Sequence, residues 1–322
     1  MSKAIDVSVV IVNWNTRDLL YQTLETLYKN TYGVTFEIIV VDNGSSDGSV
    51  GMVRRLWKQV KLIKLPKNEG FAVANNKGFG KAKGRLILLL NSDTIITPTT
   101  LPGMIRFLKT HPDAGCIGCK HLNPDKTLQR SMDNFPSLLN DFLRYTELHR
   151  LQIFQPLLKE KFAWWSDHDK VREVDWVNGS CMMVRKEVIK QVGGLDEAFF
   201  IYGEELDWCY RMKKCGWKVY FTPKATIIHI GGQAMNRAAD KRIVLKYKGQ
   251  YRFYKKHYSI FQYISLRIIV TVIALVRIAI LSMMFLLPKR LKQSWELITQ
   301  EPVITGIGTM LRVWLRIIVL PL

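Results

Sequence analysis

Acidic residues are in short supply in this sequence. Against 47 Lys and Arg there are only 27 Asp and Glu in 322 residues, so the formal net charge is +20. That balance excludes a cationic main partner and calls for an anionic one, whether phosphate, nucleic acid or lipid surface. Cysteine is scarce too, with five residues: Cys116, Cys119, Cys181, Cys209 and Cys215. A low, odd count excludes a disulfide framework and points to a reducing compartment. The spacing Cys116-Ile117-Gly118-Cys119 has no second pair and lies in an apolar run, which reads as buried thiols. Also missing is a basic, then apolar, then small-residue opening. Met1 to Asp6 leads straight into Val7–Val12, so no cleavable signal peptide is expected and the chain is assigned to the cytoplasmic side. No internal repeat or low-complexity tract is present, which removes solenoids and disordered arrays. Hydrophobic residues are plentiful, at 48%, enough for a sizeable core.

The basic excess gathers at one end. Residues 236–322 hold 15 Lys and Arg against 3 Asp and Glu, a net of +12, which leaves +8 for the first 235. There the basic residues flank long apolar runs, which favours an anionic membrane surface; no nucleic-acid partner is expected. A basic helix is predicted near Ala238–His257, with Lys241, Arg242, Lys246, Lys248, Arg252, Lys255 and Lys256 within 16 residues. The apolar stretch Ile268–Leu287 follows, ended by Pro288 and Lys289-Arg290, and then Thr305–Leu322 with Arg312 and Arg316. Its 20 residues are enough to cross a bilayer. The central Arg277 costs a spanning helix roughly 3 kcal/mol, which about a dozen large apolar side chains offset. Arginines recurring inside apolar helices suit an interfacial helix better, so this region is expected to lie on the membrane as a peripheral or monotopic anchor.

Upstream, residues 7–120 alternate short apolar runs with segments of helical length. Val7–Val12, Glu37–Val41, Lys61–Leu65 and Leu86–Leu90 read as buried parallel strands, and Thr16–Asn30, Ser46–Trp57 and Phe71–Lys81 as the helices between them. This rhythm predicts an α/β fold with a doubly wound, mostly parallel sheet that binds ligands at the strands' carboxyl ends. A second strand–helix block runs from Glu173 to about Gly232. Between the blocks, His121 to Asp169 is less periodic and richer in aromatics (Phe135, Trp164, Trp165), and reads as a long insertion over the site. The expected organisation is a catalytic domain over 1–235, with halves 1–120 and 173–235, and a helical membrane-associated region over 236–322.

The loops at the strand ends carry the chemistry. The second strand ends in Asp42-Asn43-Gly44-Ser45-Ser46-Asp47-Gly48, where Asp42 can reach a base edge or ribose hydroxyl and Ser46 or Asp47 can cap the next helix. After the third strand, Asn68-Glu69-Gly70 opens the helix that carries Asn76, and Gly70 permits a tight turn at a helix N-terminus. The fourth strand ends in Leu90-Asn91-Ser92-Asp93. A carboxylate there can hold Mg²⁺ or Mn²⁺, which takes oxygen ligands from one or two carboxylates plus substrate phosphates. An Asx-turn is the bland alternative.

In this order and spacing the loops resemble the inverting GT-A glycosyltransferases of family 2, and within them the bacterial rhamnosyltransferase-like branch. The likeness covers roughly residues 7–232. It extends through Val174-Asp175-Trp176-Val177-Asn178-Gly179-Ser180, Gly193-Gly194-Leu195-Asp196 and Gly203-Glu204-Glu205-Leu206-Asp207-Trp208-Cys209-Tyr210-Arg211. The resemblance implies a GT-A fold and transfer of a sugar, with rhamnose suggested, from a UDP or dTDP donor to a polyprenyl diphosphate-linked glycan in cell-surface polysaccharide synthesis. It implies donor contacts at Asn13, Asp42, Gly70, Asn76, Ser92 and Asp93, and a divalent cation on Asp93 and His229. Glu205 takes the position of the general base, beside Glu204. Two adjacent carboxylates raise one pKa of the pair. Asp207 and Arg211 read first as an i, i+4 ion pair. Asn91 departs from the pattern by standing where a first metal-binding Asp is usual. That departure keeps open a non-catalytic reading, a basic membrane or nucleic-acid adaptor on a degenerate nucleotide-binding fold. A nucleotidyltransferase would want a Gly-rich basic loop after the first strand, which Asn13-Trp14-Asn15-Thr16 is not.

Overall fold

A computed structural model describes residues 4–151, 167–231, 239–286 and 307–320, with a few single positions between 153 and 163. Trp164, Trp165, Pro288 and Lys289-Arg290 lie outside the described residues. The chain divides into two compact units, residues 1–135 with 156–234, and residues 136–155 with 235–322.

In the first unit, β1 (Val7–Asn13), α1 (Arg17–Asn30), β2 (Phe36–Asp42), α2 (Ser49–Leu56), β3 (Lys61–Lys64), α3 (Phe71–Phe79) and β4 (Leu86–Asn91) follow the expected alternation. Then come β5 (Thr94–Ile96), α4 (Thr100–Thr110), β6 (Ala114–Leu122), β7 (Leu128–Gln129) and β8 (Met132–Asp133). After α5 (Leu138–Tyr145), which belongs to the other unit, the chain returns through β9 (Arg172–Val174), β10 (Trp176–Val177), β11 (Cys181–Arg185), α6 (Lys186–Val192), α7 (Glu204–Lys214) and β12 (Lys218–His229). The main sheet runs β3-β2-β1-β4-β11-β6-β12-β5. β1 pairs in parallel with both β2 and β4, while β11 is antiparallel to β4 and β6. The winding reverses between β1 and β4. A crevice therefore opens at their carboxyl ends, which are Asn13 and Asn91.

The reason for this arrangement is the apolar content of the central strands. All seven residues of β1 are buried, and α1 covers one sheet face with Leu20, Leu24 and Leu27. Cys116 and Cys119 are both buried, but three residues apart on a strand they point to opposite faces and join different core clusters. Cys116 meets Cys209 and Cys119 meets Cys181, and burial pushes both thiols up.

Two expectations change. Neither Ser46 nor Asp47 is the cap of α2, which starts at Ser49 behind Gly48 at φ +85°. The Asp47 carboxylate instead turns the loop, accepting from Ser49 N at 3.0 Å and Arg17 N at 2.8 Å. The segment after His121 is also not one insertion. Its first part forms β7 and β8 in the first unit, whereas residues 136–155 belong to the second.

The second unit contains α5, α8 (Ala239–His257), α9 (Ile260–Leu286) and α10 (Ile307–Ile318). The apolar helix starts eight residues before the apolar stretch read from sequence, and its stretch Ile260–Met283 is long and apolar enough to cross a membrane. Tyr263, Leu266, Val270 and Ala274 face inward, while Phe261, Ile264, Ile268, Val272, Leu275 and Val276 are exposed. Arginines recurring here, Arg267 and Arg277 among them, were read as the mark of an interfacial helix. Instead Arg267 donates to the Leu320 and Ile318 carbonyls, and Arg277 donates to Tyr145 O at 3.0 Å and Glu147 Oε1 at 3.2 Å. Each guanidinium also lies over a ring, Tyr251 at 4.5 Å and Trp314 at 4.9 Å. These arginines join helices within the unit, because a cation on an inward helix face must be paired where it stands.

Candidate active site

Four strand ends meet around one polar chain of contacts. Asn13 Nδ2 donates to Asp42 Oδ1 and to Ser45 Oγ, both at 3.1 Å, while Asn13 Oδ1 accepts from Thr16 Oγ1 at 2.8 Å. Thr16 Oγ1 lies 2.8 Å from Ser92 Oγ. The other oxygen of Asp42 accepts from Ser45 N at 3.0 Å. The ends of β2, β1 and β4 are thus fixed to one another, with Asp42, Ser92 and Asp93 all buried. Buried side chains tied this way keep their geometry before any ligand arrives.

Asp93 and His229 are 136 positions apart, yet Oδ1 of one lies 3.2 Å from Nε2 of the other. β12 delivers His229 beside the edge strand β5, where His229 pairs with Thr94. Gln129 determines which ring nitrogen carries the proton. Its Nε2 donates to the His229 carbonyl at 3.1 Å and to Asn123 Oδ1 at 2.9 Å, so its Oε1 must accept, and that oxygen lies 2.6 Å from Nδ1. Nδ1 therefore carries a proton, and Nε2 faces a carboxylate. Nε2 and Oδ1 at this distance share a cation, either a proton or a metal ion. Asn91 Nδ2 lies 3.4 Å from the same Nε2.

That donor set fits a hard divalent ion bound sparingly. Among the described residues no group of three or more His, Cys, Asp and Glu converges on one point. The protein would supply Asp93 and His229, leaving the remaining positions to water and a diphosphate, as Mg²⁺ and Mn²⁺ usually arrange. His121 stands behind this pair, its ring 5.8 Å from that of His229 and its Nδ1 3.3 Å from Ser180 Oγ. Burial holds His121 neutral, well below the ordinary histidine range.

Glu204 and Glu205 open α7 directly after two left-handed residues, Tyr202 at φ +69° and Gly203 at φ +99°. A non-glycine residue held in that region stores strain, which gathers at functional turns. Glu204 is 97% enclosed, and its Oε2 has no hydrogen-bond partner among the described residues. Burial, and next the neighbouring Glu205, push its carboxyl well above the usual range. Glu205 is only half-buried. A side chain at Gly179 would sit 3.6 Å from Glu205 Cβ and 3.8 Å from Phe71, so the Asn178–Ser180 loop lies against both. The same loop reaches the metal side, since Asn91 N donates to Ser180 O at 3.0 Å.

Gly70 is tied to the loop after β2, its carbonyl accepting from Asn43 Nδ2 at 3.2 Å, and Asn76 follows on α3. Gly70 has φ +96°, and any Cβ there would come within 2.7 Å of Phe200 O. Asn76 clamps the Gly-Gly turn, donating to Leu195 O at 2.8 Å and accepting from Leu195 N at 2.9 Å. Asp207 and Arg211 are joined at 2.7 Å, and Arg211 also binds the Val192 and Gly194 carbonyls. These four residues shape the frame. The sequence reading missed Gln129 and His121, because both lie in the weakly periodic stretch. The turn residues Asn123-Pro124-Asp125-Lys126 were the available signal for the hairpin that brings Gln129 to His229.

Against known proteins, residues 8–193 match the sequence model of Glycosyl transferase family 2. The chain is 25% identical over 244 residues to an N-acetylglucosaminyl-diphospho-decaprenol L-rhamnosyltransferase of Mycobacterium tuberculosis, a match covering 69% of this chain and 75% of the relative. It is 27% identical over 237 residues to the Rhamnosyltransferase WbbL of Escherichia coli K12, covering 69% of this chain and 83% of the relative. Among solved structures, the mannosyltransferase PcManGT of Pyrobaculum calidifontis, in complex with GDP-Man and Mn²⁺, superposes with a TM-score of 0.60 at 15% identity. That match covers 98% of this chain and 86% of the other.

Proposed function

Because the chain belongs to Glycosyl transferase family 2 and is rhamnosyltransferase-like, we propose that it is an inverting, metal-assisted hexosyltransferase. Its donor is a UDP- or dTDP-sugar, with rhamnose favoured by the relatives, and its acceptor is a polyprenyl diphosphate-linked glycan. The observation that carries this reading is the convergence of Asp93 Oδ1 and His229 Nε2, 3.2 Å apart at the carboxyl ends of the sheet. Asp42, held by Asn13 and Ser45, would read the nucleoside, and Asp93 with His229 would hold the cation that neutralises the leaving diphosphate.

Glu205 would take the proton from the acceptor hydroxyl as that oxygen attacks the anomeric carbon, while the bond to the diphosphate breaks on the opposite face. Glu204, neutral by burial, leaves its partner as the carboxylate available for that role. The exposed stripe of α9 and the cations of α8 would hold the second unit on the anionic cytoplasmic leaflet, where a lipid-linked acceptor lies. The test is transfer from a panel of UDP- and dTDP-sugars, with and without EDTA, with the product anomer read by NMR. Retention of configuration, or full activity in EDTA, overturns the corresponding part.

A further inference from the structure

The loop that leads into the glutamate pair carries a side chain the reading above does not use. Its backbone is pinned from Leu195 onward. Asn76 holds both the N–H and the carbonyl of Leu195, and Asp196 turns the chain, with Ala198 N on its Oδ1 and Phe199 N on its carbonyl, both at 3.0 Å. Leu195 and Phe199 are buried, and Phe200 O accepts from Phe71 N at 2.7 Å. The Phe200 side chain nevertheless stays open. It is 45% exposed, the one exposed phenylalanine among the described residues of the first unit. Its ring stacks on no other aromatic side chain among them.

Gly70 makes the seat for that ring. A Cβ there would come within 2.9 Å of Phe200 Cδ2, so one side of the ring rests on bare backbone and the rest is open. The seat lies between the two ends of the site. Gly70 O accepts from Asn43 Nδ2 at 3.2 Å, and Asn43 directly follows Asp42. On the other side, a Cβ at Gly179 would lie 3.8 Å from the Phe71 ring and 3.6 Å from Glu205 Cβ. Phe71, which holds the Phe200 carbonyl, is therefore a neighbour of Glu205. Phe200 stands on the rim that runs from Asp42 to Glu205.

A fixed, exposed ring on such a rim suits one kind of partner. A pyranose carries hydroxyls around its edge but C–H groups on its faces, and those faces match the negative face of an aromatic ring. The contact leaves no polar atom unpaired, and a loop already ordered loses little entropy on binding. A diphosphate gains nothing from a phenyl ring. A nucleobase is flat as well, but the acceptor has the stronger claim on this place. A general base must come within about 3 Å of the hydroxyl it deprotonates, so the acceptor sugar has to lie beside Glu205, where this loop ends.

We propose that Phe200 is the platform on which the acceptor's terminal sugar stacks, turning the attacking hydroxyl toward Glu205. The proposal rests on the transferase reading above and adds an acceptor-binding residue to it.

The experiment measures transfer from the same panel of UDP- and dTDP-sugars to N-acetylglucosaminyl diphosphate on a short prenyl chain, varying each substrate in turn. Phe200→Leu keeps apolar bulk but removes the ring, and Phe200→Tyr keeps the ring. Phe200→Leu is expected to raise the acceptor KM on the order of tenfold, with donor KM, donor hydrolysis in the absence of acceptor, and Tm all unchanged. Phe200→Tyr should stay within about twofold of wild type. An unchanged acceptor KM in Phe200→Leu overturns the platform and leaves the transferase reading standing. A raised donor KM at unchanged acceptor KM puts the nucleotide sugar on the ring and overturns the acceptor assignment. Equal losses in both variants, with a lowered Tm, make Phe200 a packing residue and overturn the proposal. A wild-type chain that transfers no sugar to this acceptor overturns both readings.

Discussion

Gln129 Oε1 accepts the Nδ1 proton of His229 at 2.6 Å, across 100 positions of chain. Because the same amide donates to the His229 carbonyl, it cannot be turned around without facing oxygen to oxygen. Gln129 therefore fixes the ring so that Nε2 faces Asp93, as the partner of a metal-binding histidine would. Gln129→Met is expected to weaken Mn²⁺ binding by about 10–100-fold. Nitrogen NMR of the metal-free variant should show His229 no longer held as the Nδ1–H tautomer. An unchanged tautomer and unchanged Mn²⁺ affinity in Gln129→Met would remove Gln129 from the site.

The two glutamates at the head of α7 should separate kinetically. Glu205→Gln is expected to lower kcat by on the order of 10²-fold or more, with donor affinity kept, because only proton transfer is lost. Glu204→Gln replaces a carboxyl already held neutral with its near-isostere, so its effect on kcat should be much smaller. A reversal of the two effects would shift the base by one residue.

Glu204 also predicts how stability depends on pH. Its pKa is raised in the fold by burial and then by Glu205, so the folded state binds a proton that the unfolded chain has already released. This contribution is fully present below the ordinary carboxylate range and is lost as pH rises through the raised folded value. The wild-type Tm should therefore fall with rising pH in that window, relative to Glu204→Gln. Parallel Tm profiles for the two proteins would mean that Glu204 is ionised in the fold.

The central sheet was legible in the sequence because its strands are buried on both faces and read as unbroken apolar runs, as in Val7–Val12 and Leu86–Leu90. Asp42, Asp93, Glu204 and Glu205 were legible for a related reason, since each follows such a run or opens a helix after a glycine. Gln129 and His121 were hidden, because their meaning arises only when β6 pairs with β12 and β7 returns against β6. The frame contacts of Gly70 and Asn76 were also hidden. A tight turn and a polar helix residue look alike whether they meet a ligand or another loop, and here they meet Phe200 and Leu195.

Gly70 gives the frame its own test. At φ +96° with Phe200 O only 2.7 Å from any Cβ, Gly70→Ala combines backbone strain with a steric clash. It is expected to cost on the order of 1–3 kcal/mol in unfolding free energy. The Phe71 N–H bond to Phe200 O, 2.7 Å long, should loosen with it. Hydrogen exchange at Phe71 unchanged from wild type would mean that the loop adapts without strain.

Arg277 decides between two physical roles for an arginine in an apolar helix. As a headgroup contact it would contribute about 1 kcal/mol to binding an anionic leaflet and little to folding. Its position here is internal: the guanidinium lies over Trp314 and donates to Tyr145 O and Glu147 Oε1. Arg277→Met fills much the same volume but deprives the carbonyl and the carboxylate of this donor, at a cost of roughly 1–3 kcal/mol in stability. Thermal unfolding of the variant should therefore shift downward. Its partition onto anionic vesicles, measured well below that transition, should match wild type. Weaker vesicle binding at an unchanged Tm would return Arg277 to the membrane interface.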